Sequence, residues 1–159
     1  MMRPNLDTFD TAILAELQRD ALTPMDALAD RVHLSRNACW RRIKRMEAAG
    51  LIKRRVALLD PDLIGCPLTA IVLIRASAHD PGWREKFNRA VQAMPEITGA
   101  HRMTGDLDYV LKVRIADVAA YDRFYTELTS RVPVLDISAS FVMQDLKDTT
   151  ALPLPESPR

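Results

Sequence analysis

Two clusters in this sequence carry side chains equipped for chemistry. The first lies in Leu34–Glu47, LSRNACWRRIKRME, where Arg36, Asn37, Trp40, Arg41, Arg42, Lys44 and Arg45 stand apart from an apolar set, Cys39, Ile43 and Met46, that recurs at helical spacing. Guanidinium groups match guanine O6 and N7, and a carboxamide matches adenine, so Arg36, Asn37, Trp40 and Arg41 are expected to face base edges in a major groove. Arg42, Lys44 and Arg45, with Lys53, Arg54 and Arg55 downstream, are expected at phosphates, which position a protein without reading sequence. Against this stand a merely solvated charged face, and a Trp40 that packs on the neighbouring helix. The second cluster is Thr104, Gly105, Asp106, Asp108 and Tyr109. Gly105 lets the backbone approach a small ligand, the carboxylates are acceptors for an ammonium group, and a free amide is a donor for a carboxylate. The same residues suit a tight turn in which Asp106 bonds to its own backbone.

Charge patterning singles out the first cluster. From Arg31 to Arg55 there are nine Arg or Lys and one acidic residue, Glu47, a local balance of +8, whereas the 159-residue chain is only +1. Total charge would not announce a polyanion partner; its distribution does. An enzyme is disfavoured. His101, Asp106 and Asp108 are close in sequence, but no nucleophile with a paired base, phosphate-cradling glycine loop or metal cluster is visible, so no catalytic or metal-ligating residue and no cofactor is assigned. Cys39 and Cys66 form no disulfide or metal signature. The N-terminus lacks an apolar run and no stretch approaches a membrane span, which leaves a cytoplasmic setting as the expectation.

The elements that must position these residues follow from periodicity and punctuation. After a frayed lead-in at residues 1–5, a helix is expected from Asp7 to Arg19, with an acidic first turn that suits the helix dipole. A second helix runs from an N-cap at Thr23 and an N1 proline, Pro24, to Arg31. A third runs from an N-cap at Ser35, which is also counted among the expected DNA-binding residues, to Ala49, with Gly50 as the left-handed residue beyond it. A short helix, a turn and a longer basic helix is the order of a helix-turn-helix. The β-like run LIKRRVALLD after Gly50 is expected to form a wing, as a hairpin or single strand. Residues 61–67, with two prolines and Gly65, are the expected hinge between a DNA-binding domain at 1–60 and a second domain at 68–159. That domain reads as strand 68–76, helix 81–94, strand 97–103, strand 109–115, helix 117–130 and strand 134–146. The fold class is therefore α+β: a winged helix-turn-helix followed by a ferredoxin-like βαββαβ sheet with helices on one face. The other face, carrying Val110 and Val142, is expected to need a second copy. The tail after Lys147 should end loosely or pack as an extended arm.

At this point the chain resembles the leucine-responsive regulatory protein and asparagine-regulator (Lrp/AsnC, or feast/famine) family. The residues that carry the resemblance are LDTFDTAILAELQRD at 6–20, LADRVHLS at 28–35, CWRRIKRMEAAGLI at 39–52, ALLDPDLIG at 57–65, MTGDLDYVLKV at 103–113 and DLKDTTALPL at 145–154. The resemblance implies an amino-acid-responsive transcriptional regulator that binds double-stranded DNA and forms homodimers, with octamers as a further assembly. It also implies that the loop at Thr104–Asp106 lines the effector pocket at subunit contacts, together with last-strand residues corresponding to Ser138 and Ser140. Trp40, Arg54-Arg55 and Val132-Pro133-Val134 depart from the common pattern. The competing class is an amino-acid sensor or oligomeric interaction protein without specific DNA binding, which the retained basic segment disfavours.

Overall fold

In the computed structural model, which describes residues 5–155, the chain folds as two compact units. One runs to Ala57 and takes in the segment from Lys147 onward; the other is Leu58–Leu146. Of the expected lead-in, residues 1–4 lie outside the described residues.

The first unit is built on three helices. Asp7 caps α1 (Thr8–Arg19) through a reciprocal box, its carboxylate accepting from the Asp10 amide at 2.8 Å while the Asp10 carboxylate accepts from the Asp7 amide at 3.4 Å. The start of α2 (Met25–Arg31) differs from expectation by one residue, since Pro24 rather than Thr23 is the N-cap. The Thr23 hydroxyl is turned away, donating to the Asp20 carbonyl at 3.0 Å. α3 (Arg36–Ala48) begins as expected, with Ser35 Oγ accepting from the Ala38 amide at 3.2 Å, a cap that contributes about 1 kcal/mol. Gly50, at φ +71°, closes it, and the Leu51 amide returns to the Met46 carbonyl at 3.0 Å. His33 plays the same part between α2 and α3 at φ +54°, a left-handed position filled by a residue with a Cβ. The stripe Cys39, Ile43 and Met46 is buried against Ile13, Leu28, Ala29 and Val32, so α3 is held by its apolar side and leaves its polar arc outward.

One expectation for this unit is corrected. Residues 53–60 form no strand, so the wing is neither hairpin nor ladder strand. Leu51 and Ile52 turn in onto the helical core, but Val56, Leu58 and Leu59 are exposed, and among the described residues no β-strand of the first unit offers a ladder partner. The tail, placed with the second domain in the expected division at 68–159, makes its contacts in the first unit. It groups with the helices, where the Gln18 side-chain amide brackets the Leu152 backbone: Leu152 N–H donates to Gln18 Oε1 at 2.6 Å and Gln18 Nε2 donates to the Leu152 carbonyl at 3.1 Å. The expected hinge is a hydrogen-bonded turn within the second unit. Cys66 N–H donates to the Pro61 carbonyl at 2.8 Å, and Asp60 Oδ1 accepts from the Asp62 amide at 2.9 Å.

The second unit has the expected order: β1 (Leu68–Ala76), α4 (Pro81–Ala93), β2 (Ile97–Arg102), β3 (Tyr109–Ile115), α5 (Val118–Arg131) and β4 (Val134–Phe141). The strands lie as β2-β3-β1-β4, all neighbours antiparallel, and β4 stops at Phe141 rather than Leu146. Period-two alternation sends Val72, Ile74, Leu111 and Val113 under α4 and α5, where Phe87, Phe124 and Leu128 meet them. Trp83, Phe87 and Tyr109 form a ring cluster with centroids 4.3–5.7 Å apart. The buried indole finds its acceptor in the Pro133 carbonyl at 2.6 Å, which gives the Val132-Pro133-Val134 departure a structural role. Ile71, Leu73 and Val110 lie on the opposite face and are only half-buried within the unit. No helix among the described residues is long and apolar enough to cross a membrane.

Candidate nucleic-acid and effector sites

Helical spacing and burial sort the cations of α3. Arg36, Asn37, Trp40, Arg41 and Lys44 share an exposed arc alongside the buried stripe, and Trp40, at 51% exposure, is not packed on a neighbour as the alternative supposed. Asn37, Trp40 and Arg41 have no side-chain hydrogen-bond or ion-pair partner among the described residues. Arg36 approaches Asp26 at 3.5 Å with both side chains exposed, and Lys44 pairs with Glu47 at 2.8 Å, contacts that water and salt readily replace. Downstream, Lys53 and Arg54 are exposed without a partner among the described residues, while Arg55 meets the other oxygen of Glu47 at 3.1 Å. Lys44 and Arg55 hold the Glu47 carboxyl below its ordinary range, the hydrogen bond from Lys44 being the main cause.

Arg42 is placed differently from expectation. It sits beside the buried stripe, 23% exposed, and donates to Asp7 Oδ2 at 2.7 Å and Asp10 Oδ1 at 2.8 Å, with its guanidinium 5.3 Å above the Phe9 ring. Asp10 is 1% exposed and also accepts from Arg45 at 2.6 Å. A carboxylate this buried needs such partners, and both come from α3. Arg42 therefore ties α3 to α1 through two carboxylates, whereas Arg45, 60% exposed, reaches both Asp10 and the solvent. Asp7 and Asp10 are the residues sequence reasoning missed, having taken them only as a complement to the helix dipole. The available signal was angular. At 100° per residue Arg42 falls next to Cys39 and Met46, so its charge required an anion from the packing helix.

The second cluster is divided as well. Thr104, Gly105 and Asp106 are exposed on the β2–β3 turn, with Gly105 at φ +109°. Arg75 Nε donates to the Asp106 carbonyl at 3.1 Å, which holds the turn while leaving its carboxylate without a partner among the described residues; the self-bonded turn is not what forms. Asp108 is spent on structure, accepting from the Ala76 amide at 2.8 Å where the β1–β4 register shifts. Tyr109 is buried in the ring cluster. Ser138 and Ser140 lie on β4, cross-paired with Leu73 and Ile71 of β1. With β1 between β4 and β3, they stand on the order of 10 Å or more from the turn within one chain. A single copy does not gather the expected effector residues.

Residues 6–53 match the family model described as "Winged helix-turn-helix DNA-binding" and residues 69–152 the one described as "Lrp/AsnC ligand binding domain". The chain is 48% identical over 152 residues to the glutamate uptake regulatory protein of Zymomonas mobilis, covering 96% of this chain and 93% of that protein. It is 45% identical over 150 residues to the DNA-binding transcriptional activator DecR of Escherichia coli, covering 94% and 99% respectively. Among solved structures, a transcriptional regulator–L-Met complex from Neisseria meningitidis superposes with a TM-score of 0.89 at 34% identity, covering 93% of this chain and 96% of that one.

Proposed function

The chain belongs to the Lrp/AsnC family of transcriptional regulators, and from that premise we propose that it is a cytoplasmic, amino-acid-responsive reader of double-stranded DNA whose specificity resides on α3. The observation that carries this is the outward arc of Asn37, Trp40 and Arg41, free of partners among the described residues and flanked by Arg36 and Lys44. An arc of that composition, on a helix held through its apolar stripe and the Asp10 ion pairs, enters a major groove. Lys53, Arg54 and Arg55, on chain outside any helix or strand, supply phosphate contacts beside it. Fluorescence anisotropy with duplexes from the adjoining promoter and their scrambled counterparts tests the reading. Selective binding supports it, and equal affinity for both would leave only a polyanion binder.

The half-buried sheet face of Ile71, Leu73 and Val110 calls for a second copy, and a homodimer is the minimal assembly, on which octamers can be built. Sedimentation of the full chain at micromolar concentration should show a dimer or larger species; a clean monomer rejects it. A second copy also accounts for the scattered effector set, since Ser138 and Ser140 of one protomer can complete a pocket that the partner's turn begins. In that pocket Asp106 receives the ammonium of an amino acid, a reading supported by the similar Neisseria meningitidis regulator, whose solved structure is a complex with L-Met. Asp106→Ala is expected to abolish the shift in melting temperature produced by the effector amino acid while leaving effector-free DNA affinity within about twofold, because the two sites are linked only through assembly. Equal loss of both activities in a folded variant would make the turn an organiser of the dimer instead.

A further inference from the structure

Between α4 and the edge strand β2 lies a cleft of about 240 Å³. Arg84 and Asn88 reach it from α4 and Arg102 from the end of β2, while Phe87, Val91 and Tyr109 supply apolar surface. Phe87 and Tyr109 are anchored in the ring cluster, so that wall is rigid. Neither guanidinium is neutralised by a hydrogen-bonded acid. The Arg102 side chain has no hydrogen-bond or ion-pair partner among the described residues. Glu85, next to Arg84 in the chain, pairs with Arg89 at 3.3 Å, and Asp80, one turn earlier, is engaged as the cap of α4, accepting from the Trp83 amide at 3.0 Å while sensing Arg84 only through charge. No carboxylate lines the cleft.

We propose that this α4–β2 cleft binds a small organic carboxylate that carries no ammonium group, such as a branched 2-oxo acid. Two guanidiniums and a carboxamide supply forked donors for a carboxylate and a neighbouring carbonyl oxygen. The phenyl, phenol and isopropyl surfaces fit a short hydrocarbon body, which inorganic phosphate lacks. An amino acid with the same side chain is disfavoured, since its ammonium would meet two like charges and no acceptor acid. The cleft is thus the chemical complement of the turn at Asp106, which offers a carboxylate and prefers the aminated partner. The two are physically joined: Arg102 and Tyr109 are cross-strand partners that form the stems of the Met103–Asp108 turn. An occupant of the cleft grips the base of the turn whose tip faces the amino acid, so a regulator built this way weighs an amino acid against its deaminated form.

The cleft's own chemistry does not depend on the effector role assigned to the turn, and the test separates them. Full-length chain is titrated calorimetrically with 4-methyl-2-oxopentanoate, leucine and inorganic phosphate, and ligand-free melting of each variant serves as its folding reference. The oxo acid is expected to bind, with affinity falling about tenfold for Arg102→Gln and further for Arg84→Gln/Arg102→Gln. Asp106→Ala should leave that binding in place. Leucine should show no binding that the double variant removes. Oxo-acid affinity unchanged in a folded double variant, phosphate binding as tightly as the oxo acid, or no oxo-acid heat at millimolar concentration would each overturn the proposal.

Discussion

Asp10→Ala lowers the stability of the helical unit by about 3 kcal/mol, the low end of what removing one partner of a buried ion pair costs. The low end applies because the partners are not equally buried: Asp10 is 1% exposed, Arg42 23% and Arg45 60%. The variant loses two guanidinium contacts and half of the α1 capping box, and leaves Arg42 leaning on Asp7 alone. Asp10→Asn, which keeps the shape and one acceptor oxygen, should lose roughly half as much. Urea unfolding followed by helical circular dichroism provides the comparison, and an alanine variant with an unshifted first transition would show that the lock is ornamental. Acid titration adds an independent reading. The Asp7 carboxyl is held below its ordinary range chiefly by the Asp10 amide and secondarily by Arg42, against an opposing effect of burial. A group whose folded pKa is depressed contributes stability above its unfolded value, near pH 4, and loses it as the pH falls through the folded value. The acid limb of wild type should accordingly be steeper than that of Asp7→Asn; coincident limbs would remove Asp7 from the lock.

Arg41→Ala and Arg54→Ala are expected to weaken DNA binding in different ways. Arg41 sits on the exposed arc of α3 with no partner to release, so its loss should cost about 1–3 kcal/mol against a preferred base pair and little against scrambled sequence. Arg54 is exposed and lies outside any helix or strand. A phosphate contact there adds affinity to every duplex, so Arg54→Ala should weaken both nearly equally and reduce the salt slope by about one counterion. Arg42→Ala supplies the control that the geometry demands. With its guanidinium committed to Asp7 and Asp10, its removal should lower stability while leaving the salt slope of the folded protein unchanged. Anisotropy across a salt series measures all three. If Arg41→Ala and Arg54→Ala lose affinity uniformly and alike, the division between reading helix and anchoring segment fails. If Arg42→Ala lowers the slope by one counterion, the lock opens on DNA and Arg42 is a phosphate contact after all.

Much of this protein was legible in its sequence, and where it was, the reason is local. Ser35 and Gly50 terminate α3 through bonds spanning a few residues, and the Cys39–Ile43–Met46 stripe needs only helical spacing to define a buried side. Alternation within Leu68–Ala76 and Tyr109–Ile115 similarly marks one sheet face for burial, and both strands form where that pattern places them. Even Thr104–Gly105–Asp106 was recognisable as a turn, because a left-handed backbone beside an aspartate has a chemical signature. Tertiary structure decided what depends on partners distant in the chain. Arg42 and Arg41 are adjacent and identical in type, yet one meets two carboxylates across 32 and 35 residues and the other meets none among the described residues. Asp106 and Asp108 are separated by one residue, but only Asp108 finds the unpaired amide of Ala76. The run after Gly50 had strand-like composition and no strand to pair with, and the tail followed Gln18 rather than the sheet from which it emerges. A side chain's type sets which bonds it can make, but whether any are left for DNA or a ligand depends on what the rest of the fold has already brought against it.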